Sequence, residues 1–342
     1  MKFASISLAA VMAATLVQAS PASAEEVREI TGAGATFPAP VYAKWGEAAA
    51  QAIGIKLNYQ AIGSGGGQNQ IFNRTVDFGA SDAPLADKVL KEKNLFQFPS
   101  VMGAVVPIVN LPGVKPNELK LTGELLAEIY AGTVTKWNDP KLAELNRGVT
   151  LPKLAIAPVY RADSSGTSFV FTSYLTSASA DWKSRVGAGQ SVRWPAGNGA
   201  RGNDGVAATV KQVQGGIGYV ENAYASANHL ATAQLRNKSG HFVAPSMDGF
   251  AAAAANADWA GAQNYVVNLI DQAGDATWPI VSATFILLPK DPKDPARSEA
   301  VTKFFGWAYA NGDAIAKSLD YVPLPAPVKS SVQASWKTEI GH

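Results

Sequence analysis

The stretch Tyr160-Arg161-Ala162-Asp163-Ser164-Ser165-Gly166-Thr167-Ser168-Phe169-Val170-Phe171-Thr172-Ser173-Tyr174-Leu175 joins two kinds of pattern. Before it, Leu154 to Val159 reads as a short apolar strand. Within it, Phe171, Tyr174 and Leu175 fall at i, i+3 and i+4, the spacing of one helix face. The polar loop between holds Arg161, Asp163, several hydroxyls and Gly166, and Asp163, Ser164 or Ser165 can cap the helix. The N–H groups of a first helical turn have no helical acceptors and carry partial positive charge. Hydroxyls add directed donors, and Arg161 adds a full charge with a bidentate fork. This set suits a small oxyanion, although the same residues also serve as an ordinary helix start.

Working outward, the passage from strand through polar loop to helix recurs. Residues 30–40 place a glycine-rich turn after a short strand, with Pro38 and Pro40 at a helix start. Val41, Tyr42, Trp45 and Ala48/Ala49 then form an apolar stripe. Thr36 and Phe37 thus sit where backbone N–H groups lack helical partners, or else form a plain cap with Phe37 packed inward. Residues 55–62 alternate like a strand, and Gly63-Ser64-Gly65-Gly66-Gly67 reads as a loop before a helix at Gln68–Asn73. Neither glycine-rich stretch fits a nucleotide motif: no P-loop lysine follows one, and no ribose-binding acid follows the other. Ser64 can still offer a hydroxyl and an N–H to an anion. Val76 to Pro84 is a third such passage, with Asp82 at the strand end, where α/β sheets place ligand residues.

The remaining chain alternates the same way. Asp87–Leu95 reads as helix, Phe96–Pro99 as a hydrophobic turn, and Val101–Leu111 as a buried strand. Helices are expected at Leu121–Tyr130, Ala178–Val186 and from near Asp204, the last after a loop at Gly197–Gly205. Gly216–Val220 reads as a strand, alanine-rich pieces at 223–232 and 248–257 as helices, and Trp278–Leu288 as a strand. Three further helices are expected at Ala300–Ala310, Asp313–Leu319 and Val328–Lys337. An apolar strand leaving near 101–111 and another returning near 278–288 predict a discontinuous first domain. The resulting fold is α/β, with lobes 25–101 plus 281–342 and 102–280 joined by two crossovers around a cleft.

Residues 1–24 have the form of a secretory signal peptide: Lys2, an apolar run from Ile6 to Val17, and Ala22-Ser23-Ala24 before the cleavage point. The chain has no cysteine. Thiolate nucleophiles, disulfides, thiolate metal sites and a lipidated cysteine are therefore excluded. The expectation is a periplasmic protein without a lipid anchor. Losing Lys2 takes the formal net charge from +2 to +1. With cations scattered as well, a nucleic-acid partner is not expected. His229, His241 and His342 are the only histidines, and none lies in a catalytic motif. A serine hydrolase or phosphatase built on Ser165 would lack its base. No metal cluster or cofactor motif is visible.

Five stretches together resemble the periplasmic phosphate-binding proteins of ABC-type uptake systems, the PstS family. They are Thr31 to Trp45, Ile62-Gly63-Ser64, Val76 to Leu85, Arg161 to Phe169, and Trp278-Pro279-Ile280. The similarity runs from about Ile30 to the last helix. It implies a two-lobed periplasmic-binding-protein fold of type II with phosphate in the cleft. It also implies delivery to a membrane permease with a cytoplasmic ATPase, and transport by lobe closure favours a monomer that is a carrier and no enzyme. Carried over by motif, phosphate would be held by Thr36, Phe37, Ser64, Asp82, Arg161, Ser165, Gly166 and Thr167, with Asp163 behind Arg161 or capping the helix. Two residues depart from the pattern. Gly65 stands where the family often has serine, and Ser164 where it often has glycine. If the backbone at 164 required a positive φ, serine there would be strained.

Asp82 is the unusual member of such a site. An ionised carboxylate only accepts hydrogen bonds. Phosphate near neutral pH still carries a proton to donate; sulfate carries none. The expectation is that Asp82 reads this proton and rejects sulfate.

Overall fold

The computed structural model describes residues 27–259 and 261–340, so the expected signal peptide lies outside the described residues. The strands are β1 (Glu29–Gly34), β2 (Lys56–Ala61), β3 (Phe78–Ser81), β4 (Leu95–Val109), β5 (Lys120–Leu121), β6 (Ala157–Arg161), β7 (Asn198–Ala200), β8 (Gly216–Glu221), β9 (Ala231–Thr232), β10 (Gln234–Arg236), β11 (Phe242–Val243) and β12 (Val281–Pro289). The helices are α1 (Ala39–Ile53), α2 (Ser64–Phe72), α3 (Asp87–Glu92), α4 (Gly123–Tyr130), α5 (Pro140–Leu145), α6 (Gly166–Ala178), α7 (Ala180–Arg185), α8 (Gly202–Gln212), α9 (Asn222–Ala227), α10 (Met247–Ala255), α11 (Pro295–Asn311), α12 (Asp313–Ser318) and α13 (Ala326–Glu339). None is long and apolar enough to cross a membrane.

The main sheet runs β2-β1-β3-β12-β4-β8-β6-β7, with β9 also on β4. Its middle is β4, whose 15 residues are all buried. Leu95 to Ala104 pair with β12, whereas Val105 to Val109 pair with β8 and β9. One strand thus threads both lobes, and β12 returns beside it with Val281 opposite Ala104. The outer strands of each lobe are parallel: β1 with β2 and β3, and β6 with β7 and β8. Parallel neighbours need helical crossovers, so loops and helix starts collect at the strands' C-terminal ends, facing the cleft.

Three local expectations differ from the structure. The glycine run is not a loop: α2 begins at Ser64 itself. A Cβ on Gly67 would lie 2.3 Å from the Ala33 carbonyl, and one on Gly65 would lie 2.2 Å from Ser164 Oγ. Tertiary packing of α2 against β1 and the opposite lobe overrides the weak helix propensity of glycine. Phe96–Pro99 is not a turn but the first part of β4. Its proline is accommodated by a register shift, in which Thr284 pairs with Val101 and Phe285 with Pro99. The alanine-rich piece at 223–232 is helical only to Ala227 and ends in β9.

Candidate functional site

Four helices begin at one place in the cleft. Thr36 and Phe37 precede α1, Ser64 opens α2, Ser165 caps α6 by accepting from Ser168 N at 3.1 Å, and Asn203 is the second residue of α8. Gly63 makes the turn into α2 possible, with φ 89° in the left-handed region. Asp82 follows the end of β3, and Arg161 ends β6. Thr36, Phe37, Ser64, Asp82, Arg161, Ser165 and Thr167 are all under 5% exposed, so their polar atoms face one another instead of solvent.

Arg161 is held from two sides. Its Nε donates to Asp163 Oδ1 at 2.7 Å and Nη2 donates to Oδ2, a bidentate fork. Its Nη1 reaches Thr167 Oγ1 at 3.3 Å, and its backbone N–H donates to Tyr219 Oη at 3.1 Å. Burial acts to raise the Asp163 pKa, but the Arg161 bonds and charge and the Gly202 N–H, at 3.1 Å, hold it below its ordinary value. Of the two roles open to Asp163, orienting the guanidinium is the one its contacts match; α6 is capped by Ser165.

Across the cleft, Asp82 N donates to Ser64 Oγ at 3.2 Å and Thr284 Oγ1 donates to Asp82 Oδ1 at 2.7 Å. The register shift of β12 falls directly after Thr284. Asp82 Oδ2 has no hydrogen-bond partner among the described residues. It faces Gly166, where a Cβ would lie 2.5 Å from Oδ2 and 2.3 Å from Ser64 Oγ. Burial pushes the Asp82 carboxyl from its ordinary 3.8 up to about 7, against the opposing effects of the Thr284 hydroxyl, the Arg161 charge and the Ser64 hydroxyl. Phe37 packs its ring inward, with Tyr321 Oη donating to its carbonyl at 2.6 Å. Only its backbone N–H is therefore left to face an anion.

The raised Asp82 pKa has a consequence for stability. Between about pH 4 and 7 the unfolded chain loses this proton while the folded chain keeps it, so the anion-free protein becomes less stable as pH rises. The effect reaches roughly 4 kcal/mol in the limit, three pH units at about 1.4 kcal/mol each. Asp82→Asn removes this contribution. Thermal melts of the anion-free proteins should show the variant gaining on the wild type from pH 4 to 7 and holding a constant lead above it. A lead that stays flat from pH 4 to 7 would contradict the buried, protonated carboxyl.

The two departures from the family pattern meet each other. Gly65 N donates to the Ser164 carbonyl at 3.0 Å, and Ser164 Oγ occupies the space that a side chain at 65 would need. Ser164 is not among the described residues with positive φ, so the expected strain is absent. Gly65 and Ser164 thus form a single interlobe contact, with the serine filling the space the glycine leaves.

Three nearby residues escaped the sequence reading. Asn203 Nδ2 donates to Thr36 Oγ1 at 2.7 Å and to Thr167 Oγ1 at 3.3 Å. Tyr224 Oη donates to the Thr36 carbonyl at 2.6 Å. Thr284 holds Asp82 from the middle of a strand. Only Asn203 had a local signal, as part of the Gly-Asn-Asp start of a fourth helix.

A buried array of helix starts and hydroxyls closed between two lobes defines a substrate-binding protein of the periplasmic type. The family model described as a PBP superfamily domain matches residues 19–311. The chain is 51% identical over 315 residues to the phosphate-binding protein PstS of Pasteurella multocida, covering 92% of each protein. It is 50% identical to the PstS of Haemophilus influenzae, covering 92% of this chain and 94% of that one. Its fold also matches a high-affinity periplasmic phosphate-binding protein (PfluDING) solved with phosphate at pH 8.5, with a TM-score of 0.71 over 90% of this chain and 93% of that one. It likewise matches a phosphate-binding protein from Stenotrophomonas maltophilia, with a TM-score of 0.69 over 92% and 95%. Identities there are 21% and 23%, so these structures speak to fold alone. The chain belongs to the PstS family of phosphate-binding proteins.

Proposed function

We propose that the protein binds inorganic phosphate in its interlobe cleft and delivers it to the membrane permease of an ABC-type importer driven by a cytoplasmic ATPase. The observation that carries this reading is Asp82: one buried acceptor set among donors, with Oδ2 unpartnered. An array of donors alone suits any oxyanion. An array with one acceptor suits an oxyanion that still carries a proton.

In this reading Thr36, Phe37, Ser64, Arg161, Ser165, Gly166 and Thr167 donate through hydroxyls, backbone N–H groups or the guanidinium, and Asp163 fixes Arg161. The helix starts supply fixed dipoles in place of counter-charges. Asp82 receives the phosphate proton or shares its own. Residues 25–101 with 281–342 form one lobe and 102–280 the other, and because the donors are buried, phosphate enters when these lobes part. The protein acts as a monomer in the periplasm after removal of residues 1–24. It is a carrier and not an enzyme: the three histidines, His229, His241 and His342, lie in no catalytic motif that would supply Ser165 with a base.

Titrating phosphate-stripped protein with phosphate by calorimetry tests the reading, which requires saturable one-to-one binding. Arg161→Ala should weaken phosphate and arsenate together, on the order of a hundredfold, since a buried charged donor is lost and Asp163 is left unpaired. An effect on only one of the two anions would contradict a shared electrostatic role for Arg161.

A further inference from the structure

We propose that Asn203 is a positioning residue that forces the hydroxyls of Thr36 and Thr167 to act as donors toward the bound anion. The inference deepens the phosphate reading and rests on it. A threonine hydroxyl has one proton and two lone pairs, and left to itself it can present either to a ligand. Facing an anion, a lone pair repels and only the proton helps. Something in the site must therefore choose.

The choice is made by filling the lone pairs. Thr36 Oγ1 accepts twice, from Asn203 Nδ2 at 2.7 Å and Asn203 N at 3.4 Å. Thr167 Oγ1 also accepts twice, from Asn203 Nδ2 at 3.3 Å and Arg161 Nη1 at 3.3 Å. With both lone pairs of each oxygen engaged, each O–H has only the donor role left. The orientation of the Asn203 amide is itself decided by the backbone. Glu221 N–H donates to Asn203 Oδ1 at 3.1 Å, so Oδ1 must face β8 and the two protons of Nδ2 must face the two threonines. One amide thus sets two hydroxyls, one from each lobe, and is fully buried while doing so. It also ties the lobes, because Thr36 and Thr167 come from opposite sides of the cleft.

Asn203→Asp separates this role from a merely structural one. The aspartate keeps the side-chain volume and the acceptor for Glu221 N–H, but offers both threonines an acceptor where Asn203 offered donors. Their protons then turn toward residue 203 and away from the anion. Phosphate affinity at pH 8 should fall at least about a hundredfold, with the anion-free melting temperature within a few degrees of wild type. A general repulsion between the new carboxylate and the anion would also weaken binding, so the decisive measurement is a double-mutant cycle with Thr36→Val. In the wild-type background Thr36→Val should cost about tenfold in phosphate affinity, the value of one hydrogen bond to a charged group. In the Asn203→Asp background it should cost less than threefold, because that hydroxyl no longer points at the anion. If Asn203→Asp does not fold, Asn203→Ala replaces it in the same cycle, with the same non-additivity expected. Equal costs of Thr36→Val in both backgrounds, or a variant within threefold of wild type, would overturn the inference. A wild-type protein that fails to bind phosphate would instead overturn the functional reading beneath it.

Discussion

Asp82→Asn should erase discrimination between phosphate and sulfate while leaving oxyanion binding in place. The geometry says which atom matters. Thr284 Oγ1 donates to Asp82 Oδ1, and Oδ2 is left facing Gly166 without a partner. In the variant, Oδ1 keeps the Thr284 bond, so the amide N–H₂ replaces Oδ2 where the anion would sit. Sulfate, which meets an unsatisfied acceptor in the wild type, would then meet a donor. Leaving a buried charged acceptor unpaired costs about 1–3 kcal/mol or more, so sulfate affinity should rise on the order of tenfold to a hundredfold. Phosphate should change by less than about tenfold, because its unprotonated oxygens can accept from the new amide. Calorimetric titrations of both anions at pH 8 give the ratio. A wild-type ratio in the variant would contradict the role given to Asp82.

Gly166→Ala is expected to be as damaging by a different route. The added Cβ would lie 2.3 Å from Ser64 Oγ, 2.5 Å from Asp82 Oδ2 and 2.6 Å from Asp82 Cβ, all on the opposite lobe. None of these atoms ends a long, flexible side chain, and Ser64 and Asp82 are both buried. Gly166 opens α6 without positive φ, so alanine suits the local backbone and each lobe should fold as before. The cost falls on closure. Overpacking of this kind costs roughly 1–3 kcal/mol and sometimes more, which predicts at least a tenfold to hundredfold loss of phosphate affinity. The stabilisation that a fixed excess of phosphate confers should fall by about 1.4–2.7 kcal/mol, the logarithmic equivalent of that affinity loss. Wild-type affinity in Gly166→Ala would mean that the lobes do not approach this closely in the bound state.

How much of this was legible depends on how local each signal is. The passages around Thr36, Ser64, Asp82 and Arg161 each combine a strand, a polar loop and a helix start within about a dozen residues, and such patterns survive in a sequence. The crossing of β4 was visible as an apolar run, but its first part was hidden by Pro99. Proline reads as a turn until the pairing with β12 supplies a bulge to hold it. The helical state of Ser64 to Gly67 was hidden for a related reason: glycine is a poor helix former, and only contact with β1 and Ser164 explains why it stands there. Thr284 sits inside an apolar strand with nothing to mark it, since its meeting with Asp82 spans 202 positions. Asn203 was within reach, because a fourth Gly-Asn helix start resembles the other three, but one of the amide's two contacts, that to Thr36, exists only once the lobes have met. The contact between Gly65 and Ser164 shows the same limit from the other side. Read separately, each residue threatened the loop that holds it; in the folded chain they fill one another's space.

The central claim is that one buried acceptor reads the proton on the anion, and the wild-type protein tests it directly. Phosphate-stripped protein is titrated by calorimetry with phosphate and, in parallel, with sulfate, at several pH values from 5.5 to 8.5. The account predicts one-to-one phosphate binding throughout and no measurable sulfate binding at pH 8.5. Any sulfate affinity should appear only on the acid side, falling about tenfold per unit above pH 7, because sulfate can be held only when Asp82 itself carries the proton. Sulfate binding as tightly as phosphate at pH 8.5 would leave an oxyanion carrier but contradict proton reading by Asp82.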